Sequence, residues 1–475
     1  MMMDFYEMTM SYGYFRQTHG DVRVAFDLFF RSVPDRGGYA VFAGLEHVIE
    51  FVENLSFSDE DIDYFRAQNL FSEEFLSFLR GFRFRGDIYA VPEGTIIYPN
   101  EPLMTIVAPI IDAQLIETAI LAQINHQSLI ATKASRIVRA AEGRKVSDFG
   151  ARRAHNMDAA TYGARAAYIG GVDMTATVSA GQQFGIPISG TMAHSWIMFF
   201  EDEFTAFKKY AELYPQATVL LVDTYDVLHS GIPNAIRTAH EVLAPRGHRL
   251  AGVRIDSGDL AYLSKRVRTM LDDAGLTDCK IILSNSLDEF TISSLLLQGA
   301  QVDSFGVGER LITAKSDPVF GAVYKLVAVE KDGVFAPRIK MSENVEKLTN
   351  PGIKDLYRIY DRHGKAVADM LAVQGEEIDL TKPFRYVDPR KPWKNRFFEG
   401  FSAVNLRRLY VRSGKRVEPL PTLEEIRCYV QKQLAEEIWP EEQRFENPHR
   451  HYLDMTPMYY EVKMGLLDDM RGKHS

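Results

Sequence analysis

The sequence predicts an α/β protein built on a parallel sheet, and three observations carry that prediction. From about residue 145 to 310, short apolar runs alternate with helix-length stretches in a regular beat. The runs are apolar throughout instead of alternating with polar residues, as in strands buried on both faces. A βαβα order implies parallel strands joined by crossover helices. Glycines, hydroxyls and charges gather just after each run, where parallel α/β folds place their sites. A barrel and an open doubly wound sheet both satisfy the beat.

Taken in order, the N-terminal 130 residues mix the two element types. Phe65, Leu70, Phe71, Phe75, Leu76, Leu79 and Phe82 fall at helical spacing between Ile62 and Phe84. Residues 86–94 and 96–107 read as strands broken by Pro99 and Pro102, and 114–139 as one long helix or two. In the middle region, strands are expected at 219–223, 250–255, 280–283 and 302–307. Helices are expected at 233–243, 260–274 and 288–298, with Gly275 and Gly299 placed to stop two of them. Beyond about residue 320 charge rises and the beat is lost. Strands are expected at 324–329 and 356–361, with a helix at 423–436 capped by Thr422. The Arg, His and Pro cluster from Pro440 to His451 reads as surface.

The 475 residues allow about two to four domains. Two cysteines, Cys279 and Cys428, exclude a disulfide framework or a Cys-rich zinc site and fit a reducing cytoplasm. No apolar run is long enough to span a membrane, and the opening Met-Met-Met-Asp-Phe-Tyr-Glu lacks the basic and apolar parts of a signal peptide. A net charge of −9 argues against nucleic acid as a partner. It does not exclude an anionic small substrate, since a few Arg and backbone N–H groups hold phosphate locally. No Gly-x-Gly-x-x-Gly follows an early strand, so a dinucleotide fold has no support.

The strand ends carry the candidate chemistry. In order they are Asp148-Phe149-Gly150-Ala151-Arg152-Arg153, Ser189-Gly190-Thr191-Met192-Ala193-His194-Ser195, Asp223-Thr224-Tyr225-Asp226, Asp256-Ser257-Gly258-Asp259, Ser284-Asn285-Ser286 and Gly308-Glu309-Arg310. Arg suits bidentate anions. Small turns opening helices suit phosphate. Carboxylates suit hydroxyls or Mg²⁺, and one His suits nucleophilic or acid–base work. Singly, each has a plain structural reading: a surface Arg pair, a helix cap at Ser257 or Asp259, a hydrogen-bonded structural His194, a close-packed strand end at Gly306-Val307-Gly308. Their convergence on one end of the sheet points to a polyphosphate-sugar substrate.

These segments, in this order, resemble the nicotinate phosphoribosyltransferase family. The resemblance rests on the 189–195 segment, Arg254-Ile255-Asp256-Ser257-Gly258-Asp259, and Phe305-Gly306-Val307-Gly308 running on to Gly321–Val327. Asp4-Phe5-Tyr6-Glu7-Met8-Thr9-Met10, Asp148–Ala154 and Gly170-Gly171-Val172-Asp173 extend it over nearly the whole chain. It implies a type II phosphoribosyltransferase fold: an irregular parallel α/β barrel over 131–330, an α/β sandwich domain over 1–130, and a C-terminal extension over 331–475 that packs on the sandwich. It implies a homodimer and the reaction of nicotinate, phosphoribosyl pyrophosphate (PRPP) and ATP, with Mg²⁺, to nicotinate mononucleotide, diphosphate, ADP and phosphate, the first step of NAD synthesis from nicotinate.

The resemblance also assigns roles. His194 corresponds to the phosphorylated histidine, and Arg152 and Arg153 to ligands of pyrophosphate or phosphate oxygens. Arg254 falls at the base or diphosphate. Asp256 and Asp259, with the Ser257-Gly258 turn between them, fall at the ribose hydroxyls or the metal. Ser284, Asn285, Gly306 and Gly308 correspond to the 5′-phosphate cradle, Tyr6 to a ring stacked on the pyridine, and Thr191 to a nicotinate contact. Nicotinamide phosphoribosyltransferase is the alternative. Relatives that use nicotinamide carry an acidic residue in a Gly-Thr-x-Thr-Val stretch; here the matching residue is Ala176, which removes a charge that would repel nicotinate. Glu309, just after Gly-x-Gly, departs from relatives with a hydroxyl there and is expected to turn away or meet Arg310.

Overall fold

The computed structural model describes residues 2–18, 20–340, 348–387 and 395–474. The chain divides into two compact units, Ile130–Pro318 and a second made of Met1–Leu129 with Val319–Ser475.

The Ile130–Pro318 unit is the parallel α/β region. Its strands are β1 (Lys145–Asp148), β2 (Met174–Thr175), β3 (Val219–Leu221), β4 (Gly252–Ile255), β5 (Lys280–Ser284) and β6 (Ser304–Val307). They lie in the order β2-β1-β6-β5-β4-β3, and every neighbouring pair is parallel. Val146, Leu220, Val253, Leu283 and Phe305 are buried, as continuously apolar strands require. The apolar residues 186–188, which lead into the Ser189–Ser195 segment, form only a single parallel bridge, Thr175 to Ile188, beyond β2. Among the described residues no ladder joins β2 to β3, so the hydrogen bonds describe a parallel α/β sheet and do not close a barrel.

The helices between these strands stop and start where their chemistry dictates. Asp259 caps helix Leu260–Asp273 by accepting from the Tyr262 N–H at 3.0 Å, and Asp288 caps Glu289–Leu297 through Thr291 at 2.8 Å. The expected helix 233–243 is shorter, Ile232–Thr238, with a wide π-type turn at each end, Val227–Gly231 and Ala239–Leu243. Gly231 explains the first of these: a Cβ there would lie 1.9 Å from the Val222 carbonyl oxygen, so the turn packs directly on the end of β3.

In the second unit, a seven-stranded antiparallel sheet takes Arg23–Phe29, Asp87–Ala90 and Met104–Pro109 from the N-terminal part. Val323–Lys331, Val334–Pro337, Arg408–Arg412 and Lys415–Arg416 come from the C-terminal part. The aromatic stretch 62–84 forms two helices, Asp59–Ala67 and Glu73–Arg80. Asn69, at φ +54°, breaks the chain between them, and Ser72 restarts it as N-cap. Thr422 caps Leu423–Lys432 in a full capping box with Glu425.

Most of the cluster 440–451 lies at the surface as expected, Arg444, His449 and Arg450 among the exposed residues, but Glu442 and the His451 side chain turn inward. The His451 side chain is wholly enclosed and stacks on Tyr98 at 3.8 Å, and Glu442 accepts from the Tyr98 hydroxyl at 2.7 Å. Behind them, Arg358 and Asp369, paired across neighbouring strands, form a fully buried bidentate pair at 2.8 and 2.6 Å. The sequence hid this because a charged residue carries no sign of whether its partner lies inside.

Breaking that pair is costly: Arg358→Met leaves Asp369 charged in the interior and is expected to destabilise by about 3–5 kcal/mol in urea unfolding. Two neighbours bind their protons more tightly in the folded state. Burial and Asp369 raise Glu101 well above the carboxylate range; burial lowers His451, but Asp369 and Glu442 outweigh it and the net shift is upward. Raised groups stabilise below their unfolded pKa, and that contribution is lost as pH climbs through the folded one. The urea midpoint is therefore expected to fall from neutral to alkaline pH, less steeply in His451→Gln.

Candidate active site

The carboxyl ends of β1 and β3–β6 bring most of the expected residues together. Asp223, two residues beyond β3, is the centre. Its Oδ1 meets His194 Nε2 at 3.2 Å, and its Oδ2 accepts from the Asp256 N–H at 3.0 Å and the Ser257 hydroxyl at 2.6 Å. Its side chain is 1% exposed and that of His194 40%, so the imidazole stands between a buried carboxylate and solvent. His194 opens helix His194–Phe199, and Trp196 Nε1 pins that helix by donating to the Ala206 carbonyl at 3.1 Å.

The network continues sideways. Ser284, the last residue of β5, donates its hydroxyl to Asp256 Oδ1. Arg254, in β4, donates from Nη1 to Thr191 Oγ1 at 2.6 Å and lies 5.8 Å from the centre of the Phe149 ring. Burial pulls the Arg254 pKa down; Asp256 and Asp223 hold it up, and the nearby positive charge of Arg152 pushes it down again. Arg254 Nε is buried with no hydrogen-bond partner. Two guanidiniums in one field, one with an unused donor, is an arrangement that an anion completes.

The turn after β5 holds its own strain. Asn285 and Ser286 both have positive φ, +93° and +48°. Such conformations cost about 1–3 kcal/mol each and persist where the surroundings over-determine them, often at ligand sites. Gly306 stands opposite Ser284 and Ser147 in the sheet. A Cβ on Gly306 would lie 2.4 Å from the Phe149 ring, and one on Gly308 would lie 3.1 Å from the Phe149 carbonyl oxygen. Both glycines therefore admit Phe149, which the sequence reading had not singled out.

Other residues fall differently. Asp259 is exposed and spends Oδ1 on its helix cap, so of the two candidate metal ligands only Asp256 belongs to the bonded network. Among the described residues no group of three or more His, Cys, Asp or Glu could by itself hold a metal. Arg152 and Arg153 are exposed. Glu309 does not meet Arg310: it pairs with Lys315 at 2.7 Å and lies 3.8 Å from Arg153, while Arg310 pairs with Asp288. With two cations nearby, its charge is balanced locally. Tyr6 belongs to the other unit, on helix Phe5–Thr18, with its hydroxyl bonded to Glu117.

Comparison with known proteins gives this geometry its context. Residues 1–125, 144–349 and 353–463 match, respectively, the N-terminal domain, the family and the C-terminal domain models of nicotinate phosphoribosyltransferase. The nicotinate phosphoribosyltransferase of Bacillus subtilis is 45% identical over 473 residues, covering 99% of this chain and 95% of that one. The chain belongs to the nicotinate phosphoribosyltransferase family. It is accordingly a phosphoribosyltransferase. The Caenorhabditis elegans family member is 34% identical, covering 97% of this chain and 92% of its own length. The crystal structure of human nicotinic acid phosphoribosyltransferase superposes with a TM-score of 0.87 at 28% identity, covering 98% of this chain and all of that one. The α/β fold is thus the family's.

Asp223 is the site residue whose role the sequence left unassigned, although it was visible as the first polar residue after β3. If Gly306 serves Phe149, then Gly306→Ala is expected to lose about 1–3 kcal/mol in urea unfolding through overpacking. Adding Phe149→Leu should recover part of that loss; no recovery would mean that the glycine answers to something other than the ring.

Proposed function

We propose that this chain transfers the phosphoribosyl group of PRPP to nicotinate, coupled to ATP through phosphorylation of His194. One observation carries the proposal: a half-exposed imidazole held by a buried carboxylate sits at the same strand ends as a partly buried Arg that feels the charges of Asp223 and Asp256 and has a donor to spare.

The chemistry follows from the contacts. With Nε2–H donated to Asp223, the Nδ1 lone pair is the nucleophile. It attacks the γ-phosphorus of ATP, the bond to the bridging oxygen breaks, and ADP leaves; water later releases phosphate. Asp223 holds the ring's tautomer and stabilises the positive charge that develops on it, as a carboxylate does for a triad histidine. At the ribose, departure of diphosphate builds oxocarbenium-like charge while the pyridine nitrogen of nicotinate attacks. Positioned charges contribute more to such a step than a strong base.

Arg152, Arg153 and Arg254 fit the diphosphate and the nicotinate carboxylate, with Thr191 fixing Arg254. The strained Ser284-Asn285 turn, beside Gly306 and Gly308, fits the 5′-phosphate. Asp256, with the Ser257-Gly258 turn, fits the ribose hydroxyls. Mg²⁺, which neutralises polyphosphate charge, fits a site with one or two carboxylates and the rest of its shell from water and substrate, Asp256 being the better placed and Asp259 the second. Ala176, exposed at the end of β2, puts no charge against the nicotinate carboxylate and disfavours the nicotinamide alternative.

A homodimer accounts for the apolar surface at Ile188, Met198 and Phe199, which are 61%, 66% and 81% exposed. In that assembly Tyr6 stacks on the pyridine ring from the partner subunit. Two free cysteines and the lack, among the described residues, of a helix long and apolar enough to cross a membrane support a cytoplasmic setting, where the reaction opens NAD synthesis from nicotinate.

The test is PRPP-dependent mononucleotide formation with nicotinate and nicotinamide side by side, with and without ATP. Nicotinate alone should react. ATP should raise turnover, and His194→Ala should abolish that stimulation while leaving a slow uncoupled reaction. Product from nicotinamide would overturn the Ala176 argument. Arg254→Gln is expected to lower kcat/KM by about 10²–10³-fold, as for removal of a positioned donor to developing charge.

A further inference from the structure

Glu7 is a buried carboxylate that the mechanism above does not use. It lies in the first turn of helix Phe5–Thr18, where a carboxylate normally faces solvent, yet it is 0% exposed. Its spacing from Asp4 is that of a capping box, and its Oε1 accepts from the Asp4 N–H, at a long 3.4 Å. The stronger bonds run elsewhere. The same oxygen accepts from the Thr118 N–H at 2.9 Å and from the Thr118 hydroxyl. Thr118 is the second residue of helix Glu117–Ala140, so its N–H is one of the donors that a helix start leaves without an intrahelical partner. One carboxylate thus joins the first turns of two helices.

The residues beside this clip show what it holds. Tyr6 and Glu117, the immediate neighbours of Glu7 and Thr118, are bonded to each other through the tyrosine hydroxyl. Glu117 is itself fixed by Gln114, which donates to it at 2.8 Å. The two faces of the first helix differ. Glu7 and Ser11, one turn apart, are fully buried, while Tyr6 and Met10, also one turn apart, are 41% and 39% exposed. The half-open Tyr6 ring therefore takes its direction from its hydroxyl and from the backbone of the first turn. Helix ends fray unless they are tied down. Tyr12 and Phe15 pack on Phe75 at 5.2 and 5.3 Å and hold the helix further along; at its start, half-exposed Phe5 meets Phe71 only edge-on at 6.3 Å. Glu7 is the close tie of that first turn. Among the described residues its Oε2 is buried without a hydrogen-bond partner, so its bonds run to Thr118 and Asp4.

We propose that Glu7 is a positioning residue for Tyr6: by clipping the first turn of its helix to Thr118, it holds the tyrosine ring at the angle needed to stack on the pyridine of nicotinate. The proposal deepens the reading of Tyr6 given above and rests on it. Glu7 touches no substrate and takes no part in group transfer. A ring fixed before the base arrives does not have to be ordered on binding, so the effect falls on KM for the base. PRPP, whose candidate ligands belong to the parallel sheet, is left alone.

The test is a double-mutant cycle on Glu7 and Tyr6, read as KM for nicotinate and for PRPP at saturating ATP. Glu7→Ala is expected to raise KM for nicotinate about three- to tenfold, what one aromatic contact is worth, with KM for PRPP unchanged. Tyr6→Ala should raise it at least as much, and adding Glu7→Ala to Tyr6→Ala should change nothing further. Glu7→Gln, which keeps an acceptor facing Thr118, should recover most of the loss. Thr118→Val removes the hydroxyl donor and should act in the same direction by less; it also serves if Glu7→Ala does not fold. Additive losses, or equal losses for both substrates, would overturn the proposal and leave Glu7 a structural clip. A second measurement is independent of substrate: nuclear Overhauser contacts between the Tyr6 ring and the Glu117 side chain in the full chain without ligands. They are expected in the wild type and in Glu7→Gln, and lost in Glu7→Ala. Their absence from the wild type, or their survival in folded Glu7→Ala, would also overturn the proposal. If they are lost as expected while Tyr6→Ala leaves KM for nicotinate unchanged, the stacking reading fails and the positioning of Tyr6 by Glu7 stands.

Discussion

A carboxylate can serve three donors at once only if all three arrive within about 3 Å of its two oxygens, and Asp223 imposes that condition on two chain segments at the end of the parallel sheet. It is reached by His194 from the loop before β3, and by the Asp256 N–H and the Ser257 hydroxyl from the end of β4. Asp256 in turn receives Ser284 from the end of β5. Strand order and register are what let this happen: β3, β4 and β5 are consecutive neighbours, paired so that Leu221, Arg254 and Ile282 stand abreast. A slip of two residues in any pairing would carry a donor about 7 Å away. The continuous apolar burial of the strands and the bonding of Asp223 are therefore one constraint seen from two sides.

Around this centre the molecule keeps some interactions incomplete. Arg254 is partly buried in the field of Arg152 with its enclosed Nε unused, and the turn at Asn285-Ser286 holds two left-handed non-glycine residues.

Much of this was legible from the sequence, for a definite reason. Strands buried on both faces write themselves as apolar runs, and the first polar residue after each run marks the strand end, so Arg254, Asp256, Ser284 and Gly308 could be located without coordinates. What the sequence does not encode is which polar groups choose each other. Asp259 looked as eligible as Asp256 to bind a metal, but it caps its helix. Glu309 was expected to turn away or meet Arg310, and it meets Lys315 and Arg153. The 440–451 cluster is mostly solvated, as it read, but it sends Glu442 and the His451 side chain inward. Phe149, apolar and unremarked, dictates two glycines. Each of these is decided by long-range packing, to which composition and spacing are blind.

The two kinds of buried charge divide the labour. Arg358 and Asp369 satisfy one another with two parallel bonds and lie among Tyr98, Glu101 and His451. Such a pair contributes little net stability over an apolar core, yet it is costly to break, so it specifies which strands meet. Arg254 is placed differently: it is partly buried at the strand ends, its Nε has no partner, and Arg152 adds a second positive charge nearby. An unsatisfied buried group costs about 1–3 kcal/mol, more when charged. In the proposed reaction a substrate anion supplies the missing partner and offsets that cost.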